Sequence, residues 1–429
     1  MTTFTAARAG VLKHAVPGVY YYASFAALPV LGLLQTRVLT SLLSQSAYGS
    51  LQLVIPVISW CVILGGLGTP QYLVRFYARD GNDLFWRGLA VALRATAVVS
   101  VVVFALAVAI DPGLDGYRPG RLIAALLASS ILLAQVSAQV KALLRVQEQH
   151  LAYNLVVIVE RLMILAGVTL VVWLWRARPI EGYLLGTSVA TLAVLAPLAW
   201  PHLRRWGRLL APPPGARVGD MLAFGAPVVG VMVLGELYGS LNRYVIGLAG
   251  LGTEAVARYV IGYVIATLGL QALYEPLMTY IHPRVFRAWE ERGAAQARRM
   301  LERYLAVYAA CGLVTGAVFL LTQPWLVRIV ANASYVLDDA TFAALVSSSF
   351  LLGFYRFLST YYHLARRTGE LALWYLVALV FNLAVAIAVV QRHGLFGVAA
   401  ASAVSSGLLC GLVWWRGRRL VEGTPSGSA

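Results

Sequence analysis

Charged residues are scarce in this sequence. Only 12% of its 429 residues are Asp, Glu, Lys or Arg, whereas 60% are hydrophobic. A soluble globular domain has about 25% charged residues, so this composition excludes that class. Mostly apolar runs of about 18 residues or more, each long enough to cross a bilayer, recur along the whole chain. We therefore predict a polytopic membrane protein built from helices, because backbone in lipid must satisfy its own hydrogen bonds.

Acidic residues are the scarcer of the two charged classes. The chain has 18 Asp and Glu against 34 Lys and Arg, which gives a formal net charge of +16. A strongly basic chain can indicate a nucleic-acid partner, but here most of the basic residues fall in alternate loops between the apolar runs. This is the positive-inside pattern. We therefore attribute the excess of positive charge to the membrane topology and not to a nucleic-acid partner. We expect both termini on the cytoplasmic side and no nucleic-acid partner.

Cysteine is also rare, and known catalytic motifs are missing. The three cysteines are odd in number, widely spaced and set in apolar segments, which argues against a disulfide framework or a metal site. The sequence contains no HExxH, no Ser-His-Asp set and no phosphate loop, and Gly247, Gly250 and Gly252 lack the strand context of a nucleotide site. We expect no cofactor, no metal and no enzymatic activity.

The apolar runs predict an all-α fold with about twelve transmembrane helices. Arg8 and Lys13 precede the first run as in a signal peptide, but that run continues too long for one, so we expect an uncleaved helix. The expected spans are 16 to 36, 48 to 72, 89 to 110, 121 to 143, 151 to 174, 180 to 200, 221 to 246, 255 to 281, 301 to 322, 340 to 362, 371 to 390 and 394 to 415.

The two halves of the sequence repeat each other. Pro17 and Pro70 in the first half correspond to Pro227 and Pro276 in the second, about 210 residues later. Such an offset indicates two six-helix bundles in the same topology, related by an axis along the membrane normal. We predict an N-terminal six-helix lobe over 1–200, a basic and proline-rich cytoplasmic linker over 201–220, and a C-terminal six-helix lobe over 221–429.

Short motifs in the seventh and eighth spans carry a family resemblance. The runs are Phe224–Pro227, Leu241–Ile246 and Gly252–Tyr259, with Arg37, Leu39, Tyr48 and Gly49 as a matching set near the N-terminus. They resemble the Wzx-type polysaccharide flippases of the multidrug, oligosaccharidyl-lipid and polysaccharide exporter (MOP) superfamily. The resemblance covers essentially the whole chain. One departure is Asn242, where the family often has Asp before the arginine matching Arg243.

The resemblance implies a function and a set of partners. Such flippases move undecaprenyl-pyrophosphate-linked oligosaccharide repeat units across the bacterial inner membrane by alternating access of two lobes. The expected partners are therefore a lipid-linked oligosaccharide with a pyrophosphate head, the membrane lipids and a polysaccharide polymerase. H⁺ or Na⁺ is the expected coupling ion if a buried carboxylate exchanges one, and membrane voltage alone is the alternative.

A pyrophosphate head requires a hydrated, cationic cavity. Arginine suits this task because it stays charged and its fork matches phosphate oxygens. A central Arg costs about 2.5 to 3.5 kcal/mol on insertion scales, so each needs a compensating role. For Arg161 and Arg356 we expect cavity lining, with structural ion pairing as the alternative. The resemblance adds Arg243 and Arg37 as substrate-binding candidates.

The eighth span also carries a polar stripe. Tyr259, Tyr263, Thr267, Gln271 and Glu275 follow one another at four-residue intervals and so lie on one slowly winding face. We predict that Tyr259, Tyr263 and Gln271 contact the glycan, and a position at the membrane interface is the alternative role for the two tyrosines. Glu275, together with Glu236 in the preceding span, is the candidate for ion coupling, since a buried carboxylate can exchange a proton or hold Na⁺. Neutralisation of an arginine on a neighbouring helix is the alternative role.

Two other function classes are weaker alternatives. An ion-coupled multidrug or small-molecule antiporter of the same fold would be expected to have an acidic residue in its leading helix, and no Asp or Glu occurs between Met1 and Arg79. A membrane enzyme that joins lipid-linked sugars usually has its catalytic groups in a large outer loop, which this chain lacks.

Overall fold

The structure is a computed structural model that describes residues 27–110, 121–199, 218–365 and 367–422. These residues form helices and short connections, and the described part contains no strand. The predicted all-α fold class is confirmed. The predicted cytoplasmic linker over 201–220 falls mainly on residues 201–217, which lie outside the described residues.

The described residues before position 200 form six helices. They are α1 (Ala27–Leu42), α2 (Gln45–Gly66), α3 (Thr69–Ile110), α4 (Arg121–Val146), α5 (His150–Leu174) and α6 (Pro179–Ala199). The backbone leaves the helical region at Gly81, with φ at 63°. This divides α3 into a short first segment and a long apolar one, of which the latter contains the predicted span from 89 to 110.

The remaining helices follow residue 217. They are α7 (Val218–Leu248), α8 (Thr253–Arg292), α9 (Ala294–Val330), α10 (Asp339–Leu358), the short α11 (Thr360–Leu364) and α12 (Thr368–Glu422), with a 3₁₀ turn at Ala333–Tyr335 before α10. Gly394, at φ 54°, interrupts α12. The interruption separates the last two predicted spans, because each of them fits on one side of Gly394.

Ten of the described helices are long and apolar enough to cross a membrane. The described part of α1 is a shorter apolar helix, and the long α12 contains two of the predicted spans. The chain is therefore a multi-pass membrane protein, and these described helices are consistent with the expected number of about twelve crossings.

The second predicted span ends earlier than the sequence suggests. It was expected to continue to residue 72, but α2 stops at Gly66 because Leu67 and Gly68 both have positive φ. Gly68 also lies against Gly225 of α7, and a Cβ built on Gly68 would come 2.6 Å from the Cα of Gly225. A side chain at either position would separate the two backbones, so glycine permits this close packing.

Helix α10 begins at a well-formed cap. Asp338 accepts hydrogen bonds from the backbone N–H of Thr341 at 2.8 Å and from its hydroxyl at 2.6 Å. Such a cap satisfies an N–H group that has no partner within the helix. The cap fixes the start of the helix that carries Arg356.

The described chain divides into two compact units. The first extends up to Leu43 and continues from Val54 to Val233, whereas the second comprises Ser44–Leu53 and the residues from Leu234 onwards. The boundary between units therefore falls within α2 and within α7. The division into lobes at the 201–220 linker stays a prediction.

Candidate functional site

The first unit contains a cavity of about 520 Å³. Residues from α1 to α5 and from the first half of α7 line it. Helix α4 forms one complete wall through Gln135, Ala138, Lys141, Ala142 and Arg145. Residues 135, 138, 141 or 142, and 145 recur every three or four positions, which places this set on one face of the helix. The face of α4 that lines the cavity therefore follows from the periodicity of the helix.

A partly buried ion pair lies in the wall of this cavity. Lys141 Nζ is 2.9 Å from Glu160 Oε2, and Ser137 Oγ donates to Glu160 Oε1 over 2.6 Å. Glu160 is only 7% exposed. Because a buried carboxylate is stable only when paired and hydrogen-bonded, Lys141 and Ser137 together account for its charge. The pair leaves no net charge at this point of the wall.

Two arginines supply the excess charge of the cavity. Arg145 donates through Nη2 to the hydroxyl of Tyr153 at 2.9 Å, and its Cζ lies 5.2 Å from the centre of that ring. Arg161 is exposed, lines the cavity and lies near Tyr183 of α6. Neither arginine forms an ion pair within the described part of the chain. The described lining therefore has two uncompensated positive charges.

The deepest polar group of the wall is Gln135. Its side chain is fully buried, and both Oε1 and Nε2 lack a hydrogen-bond partner among the described residues. The amide lies against Gly66 of α2, where an added Cβ would be 3.3 Å from Oε1. The cavity thus combines two cationic groups with one unsatisfied amide.

In the second unit, Arg356 lies among tyrosines. It is exposed on α10, next to the hydroxyl of Tyr274 and near Glu275, Tyr355 and Tyr375. The rings of Tyr355 and Tyr375 pack edge to face with centroids 5.1 Å apart. Although Glu275 is near, it forms no ion pair with Arg356 within the described residues. Arg356 therefore remains accessible to an anion.

Arg243 contacts the backbone of another helix. Its Nη1 lies 3.3 Å from both the carbonyl oxygen and the side-chain oxygen of Gln52 on α2. Arg243 Nε is buried without a hydrogen-bond partner in the described chain. Arg243 and Glu236 both lie near the hydroxyl of Tyr263. The arrangement places two candidate residues together on α7, although part of the guanidinium is used by Gln52.

Tyr259 belongs to a buried polar network. It is 2% exposed, and its hydroxyl accepts a hydrogen bond from Asn242 Nδ2 at 3.2 Å. Asn242 Nδ2 also donates to Ser402 at 2.6 Å, and Asn382 donates to Asn242 Oδ1 at 3.3 Å. The ring of Tyr259 stacks on that of Tyr263, 6.4 Å away and inclined by 6°. The network uses the amide of Asn242 as donor and acceptor at once, which a carboxylate could not do.

The other candidate residues are spread over several helices. Gln271 and Glu275 are half-buried on α8, Glu236 is half-buried on α7, and Arg37 is exposed on α1. Their proposed roles in substrate binding and ion coupling stay predictions.

Sequence reasoning missed four residues of the cavity. They are Gln135, Lys141, Arg145 and Tyr153. The sequence contains a pattern that could have identified three of them. The α4 residues at 135, 141 and 145 lie on one face of the helix, with small residues between them. The pairing of Glu160 with Lys141 was not foreseen either, since it depends on how α4 and α5 pack.

Comparison with known families decides the classification. The model of the family described as polysaccharide biosynthesis protein matches residues 18–289, which is more than half of the chain. The chain belongs to this family. The predicted resemblance to a polysaccharide exporter of the MOP superfamily is thereby confirmed.

Solved structures show that this family member shares the fold of MOP-superfamily proteins. An inward-facing multidrug resistance MATE family transporter has a TM-score of 0.75 at 14% identity, with 95% of this chain and 100% of that chain covered. The lipid II flippase MurJ, inward closed, has a TM-score of 0.72 at 12% identity, with 94% and 87% covered.

A third solved structure has the same fold. A MOP-superfamily transporter from Pyrococcus furiosus, whose binding pocket is described as having reverse polarity, has a TM-score of 0.63 at 16% identity, with 94% of each chain covered. No curated protein sequence matches the chain.

Proposed function

We propose that this protein is a flippase that moves undecaprenyl-pyrophosphate-linked oligosaccharide repeat units across the bacterial inner membrane. Membership of the polysaccharide biosynthesis family supports the substrate class, and the fold is shared with a lipid flippase. Both termini are cytoplasmic in this proposal, and transport proceeds by alternating access. The repeat units are then polymerised outside the cytoplasm.

The observation that carries the proposal is the charge of the cavity in the first unit. Among its described lining residues, Glu160 neutralises Lys141, whereas Arg145 and Arg161 have no carboxylate partner. A dianionic pyrophosphate diester matches this excess of charge. Guanidinium groups are also suited to phosphate oxygens because they present parallel N–H donors and stay charged.

The membrane potential supplies a driving force for such a substrate. An inside-negative potential favours outward movement of an anion by about 2.3 kcal/mol per charge per 100 mV. A dianionic lipid can therefore be driven by voltage alone. If an ion is also coupled, Glu236 and Glu275 are the carboxylates through which H⁺ or Na⁺ acts in this proposal.

The cavity charge also distinguishes between the two transport functions. A multidrug resistance MATE family transporter shares this fold, so an antiporter of cationic drugs is the alternative function to weigh. A cationic drug would meet Arg145 and Arg161 without a compensating carboxylate, and like charges in a partly dehydrated site repel. The anionic lipid is therefore the better match, and the protein acts as a transporter rather than an enzyme.

The test is a flipping assay with the purified full chain in liposomes. The substrate is an undecaprenyl-pyrophosphate oligosaccharide with a fluorescent label that dithionite bleaches only in the outer leaflet. We expect wild-type protein to expose the inner-leaflet pool and the double variant Arg145→Gln with Arg161→Gln to lose this activity. Replacement of both by Lys should partly restore it, because the charge returns without the fork.

The matched control is Arg176→Gln, which removes an exposed arginine outside the cavity lining. This variant should flip the lipid at the wild-type rate. Unchanged flipping by the double Gln variant would refute the cationic cavity as the substrate site. Efflux of a cationic drug by wild-type protein, without flipping of the glycolipid, would instead establish the antiporter function.

A further inference from the structure

The amide of Gln135 is buried in the cavity wall with no partner. Its side chain has no exposed surface, and neither Oε1 nor Nε2 is hydrogen-bonded among the described residues. An unpaired buried amide is costly, so native proteins satisfy nearly all such groups. A buried residue that lines a ligand-sized cavity and has no hydrogen-bond partner among the described residues is therefore a candidate for contact with the ligand.

The position of Gln135 relative to the cations is fixed by α4. Gln135 lies six residues before Lys141 and ten before Arg145 on the same lined face. At about 1.5 Å per residue, these separations correspond to about 9 and about 15 Å along the helix axis. A ligand that places its anionic group near Arg145 thus has room for a further chemical unit before it reaches Gln135.

The chemistry of that unit follows from the amide. Gln presents two N–H donors and one carbonyl acceptor. A phosphate can only accept, and hydrocarbon can do neither, so both would leave part of the amide unsatisfied. A sugar hydroxyl donates and accepts, and an acetamido group does the same. Gly66 packs directly against the amide, and a Cβ added there would lie 3.3 Å from Oε1, so only a residue without a side chain fits on that side of Gln135.

We propose that Gln135 is a specificity residue that binds the sugar attached directly to the pyrophosphate. The inference rests on the proposed function. It adds that the first unit binds part of the glycan as well as the anionic head. Arg145 and Arg161 hold the head, and Gln135 recognises hydroxyl or acetamido groups on the adjacent sugar.

Two other buried polar groups do not support the same inference. Thr96 and Ser100 of α3 also have hydroxyls without partners among the described residues. Neither residue lines the cavity, however. Gln135 differs from them because it combines the unsatisfied atoms with a position in the wall.

The experiment compares two lipids that differ by one sugar. Purified full-length protein in nanodiscs is titrated with undecaprenyl-pyrophosphate-N-acetylglucosamine and with undecaprenyl methyl pyrophosphate, which is also a dianionic diester but has no sugar. We expect wild-type protein to bind the sugar lipid about two- to tenfold more tightly, which is the net worth of one or two neutral hydrogen bonds. Gln135→Met should remove this difference while the affinity for undecaprenyl methyl pyrophosphate stays unchanged. Gln135→Leu is a second variant, should the Met side chain fail to pack.

The matched control is Gln139→Leu. Gln139 is a buried amide one turn further along α4, but it donates to Thr69 and does not line the cavity. Its replacement should lower stability and leave the sugar preference intact.

The outcomes separate this inference from the proposed function. If wild-type protein binds both lipids equally, or if the Gln135 variants retain the preference for the sugar lipid, the role of Gln135 is wrong while the anionic-lipid function stands. If wild-type protein binds neither lipid, the proposed function fails and the sugar contact fails with it.

Discussion

Arg243 on α7 donates a hydrogen bond to the backbone carbonyl of Gln52 on α2. This carbonyl has a special need for a donor, because the residue four positions later is Pro56, which lies inside the helix and has no N–H. The guanidinium therefore replaces the helical hydrogen bond that Pro56 removes. Next to it, the hydroxyl of Tyr244 donates to the carbonyl of Leu53 at 2.5 Å.

The first prediction concerns the stability contributed by this contact. Arg243→Met should lower the free energy of unfolding by about 1.5 to 3 kcal/mol, the usual worth of a hydrogen bond to a charged group. Arg243→Lys should lose less, because one N–H donor remains. Thermal unfolding of the purified protein, followed by intrinsic fluorescence, measures both effects. The control is Arg392→Met, which removes an exposed arginine. Equal melting of Arg243→Met and wild type would show that Arg243 is free for another role.

The second prediction concerns the partly buried pair of Lys141 and Glu160. Glu160→Gln should destabilise the protein by about 1 to 3 kcal/mol, because Lys141, whose side chain is 30% exposed, is then left as an unpaired charge in a partly buried site. Lys141→Met should have a similar cost through the unpaired carboxylate. The double variant should recover much of the loss, since neither charge remains. Thermal unfolding of the four proteins forms a double-mutant cycle.

The same variants change the charge of the cavity in opposite directions. Glu160→Gln makes it more positive and should strengthen binding of undecaprenyl pyrophosphate, whereas Lys141→Met should weaken it. Titration at low and high salt provides the check, because an electrostatic effect decreases with ionic strength. Additive losses of stability in the cycle would mean that the two side chains do not interact.

The third prediction concerns a close backbone contact in the second unit. A Cβ on Gly49 of α2 would lie 1.8 Å from the carbonyl oxygen of Thr253 at the start of α8. Backbone cannot yield as a side chain does, so Gly49→Val should abolish the folded protein and Gly49→Ala should strongly lower its yield. Gly230→Ala is the control, since nothing lies within 4 Å of its Cβ position. It should be neutral or stabilise by about 0.5 to 1 kcal/mol, because Ala favours helix. Normal monodispersity of Gly49→Val on size exclusion would contradict the packing described for this contact.

The fold was largely predictable because the bilayer imposes it. A run of apolar residues long enough to cross must be helical, and only local backbone features shift its ends, as Leu67 and Gly68 do for α2. The kink at Gly81 was not foreseen, since glycine in a helical pattern does not by itself mark a break. Hydropathy indicates burial in lipid or protein, but it contains no information about a local break in helical backbone conformation.

The candidate site was only partly predictable. Arg161 stands out because a charge inside an apolar span is expensive, and the structure places it in the cavity lining. The ion-pair partner of Glu160 could not be predicted from the sequence, because Lys141 is on another helix and the pairing depends on tertiary packing. Tyr259 illustrates the opposite limit. Its place in a polar stripe suggested an accessible face, whereas packing against Asn242 and neighbouring helices buries it.

The last prediction concerns Arg356 in the second unit. Its guanidinium is exposed beside Tyr274, Tyr355 and Tyr375, and within the described residues it has no ion pair. An exposed cation held among tyrosines can bind an anion without first breaking a salt bridge. Arg356→Gln should therefore reduce flipping of the pyrophosphate-linked oligosaccharide by at least about tenfold, since a charge-assisted hydrogen bond contributes about 1.5 to 3 kcal/mol. Melting should change little, because no described carboxylate loses its partner.

Arg356→Lys is the informative companion, since it keeps the charge and loses the planar fork. Its flipping rate should fall between those of wild type and Arg356→Gln in the same liposome assay, with Arg392→Gln as the exposed control. If Arg356→Gln instead lowers the melting temperature and the flipping rate together, Arg356 stabilises the tyrosine packing of the second unit. A role in substrate binding requires that Arg356→Gln lowers the flipping rate while its melting temperature stays at the wild-type value.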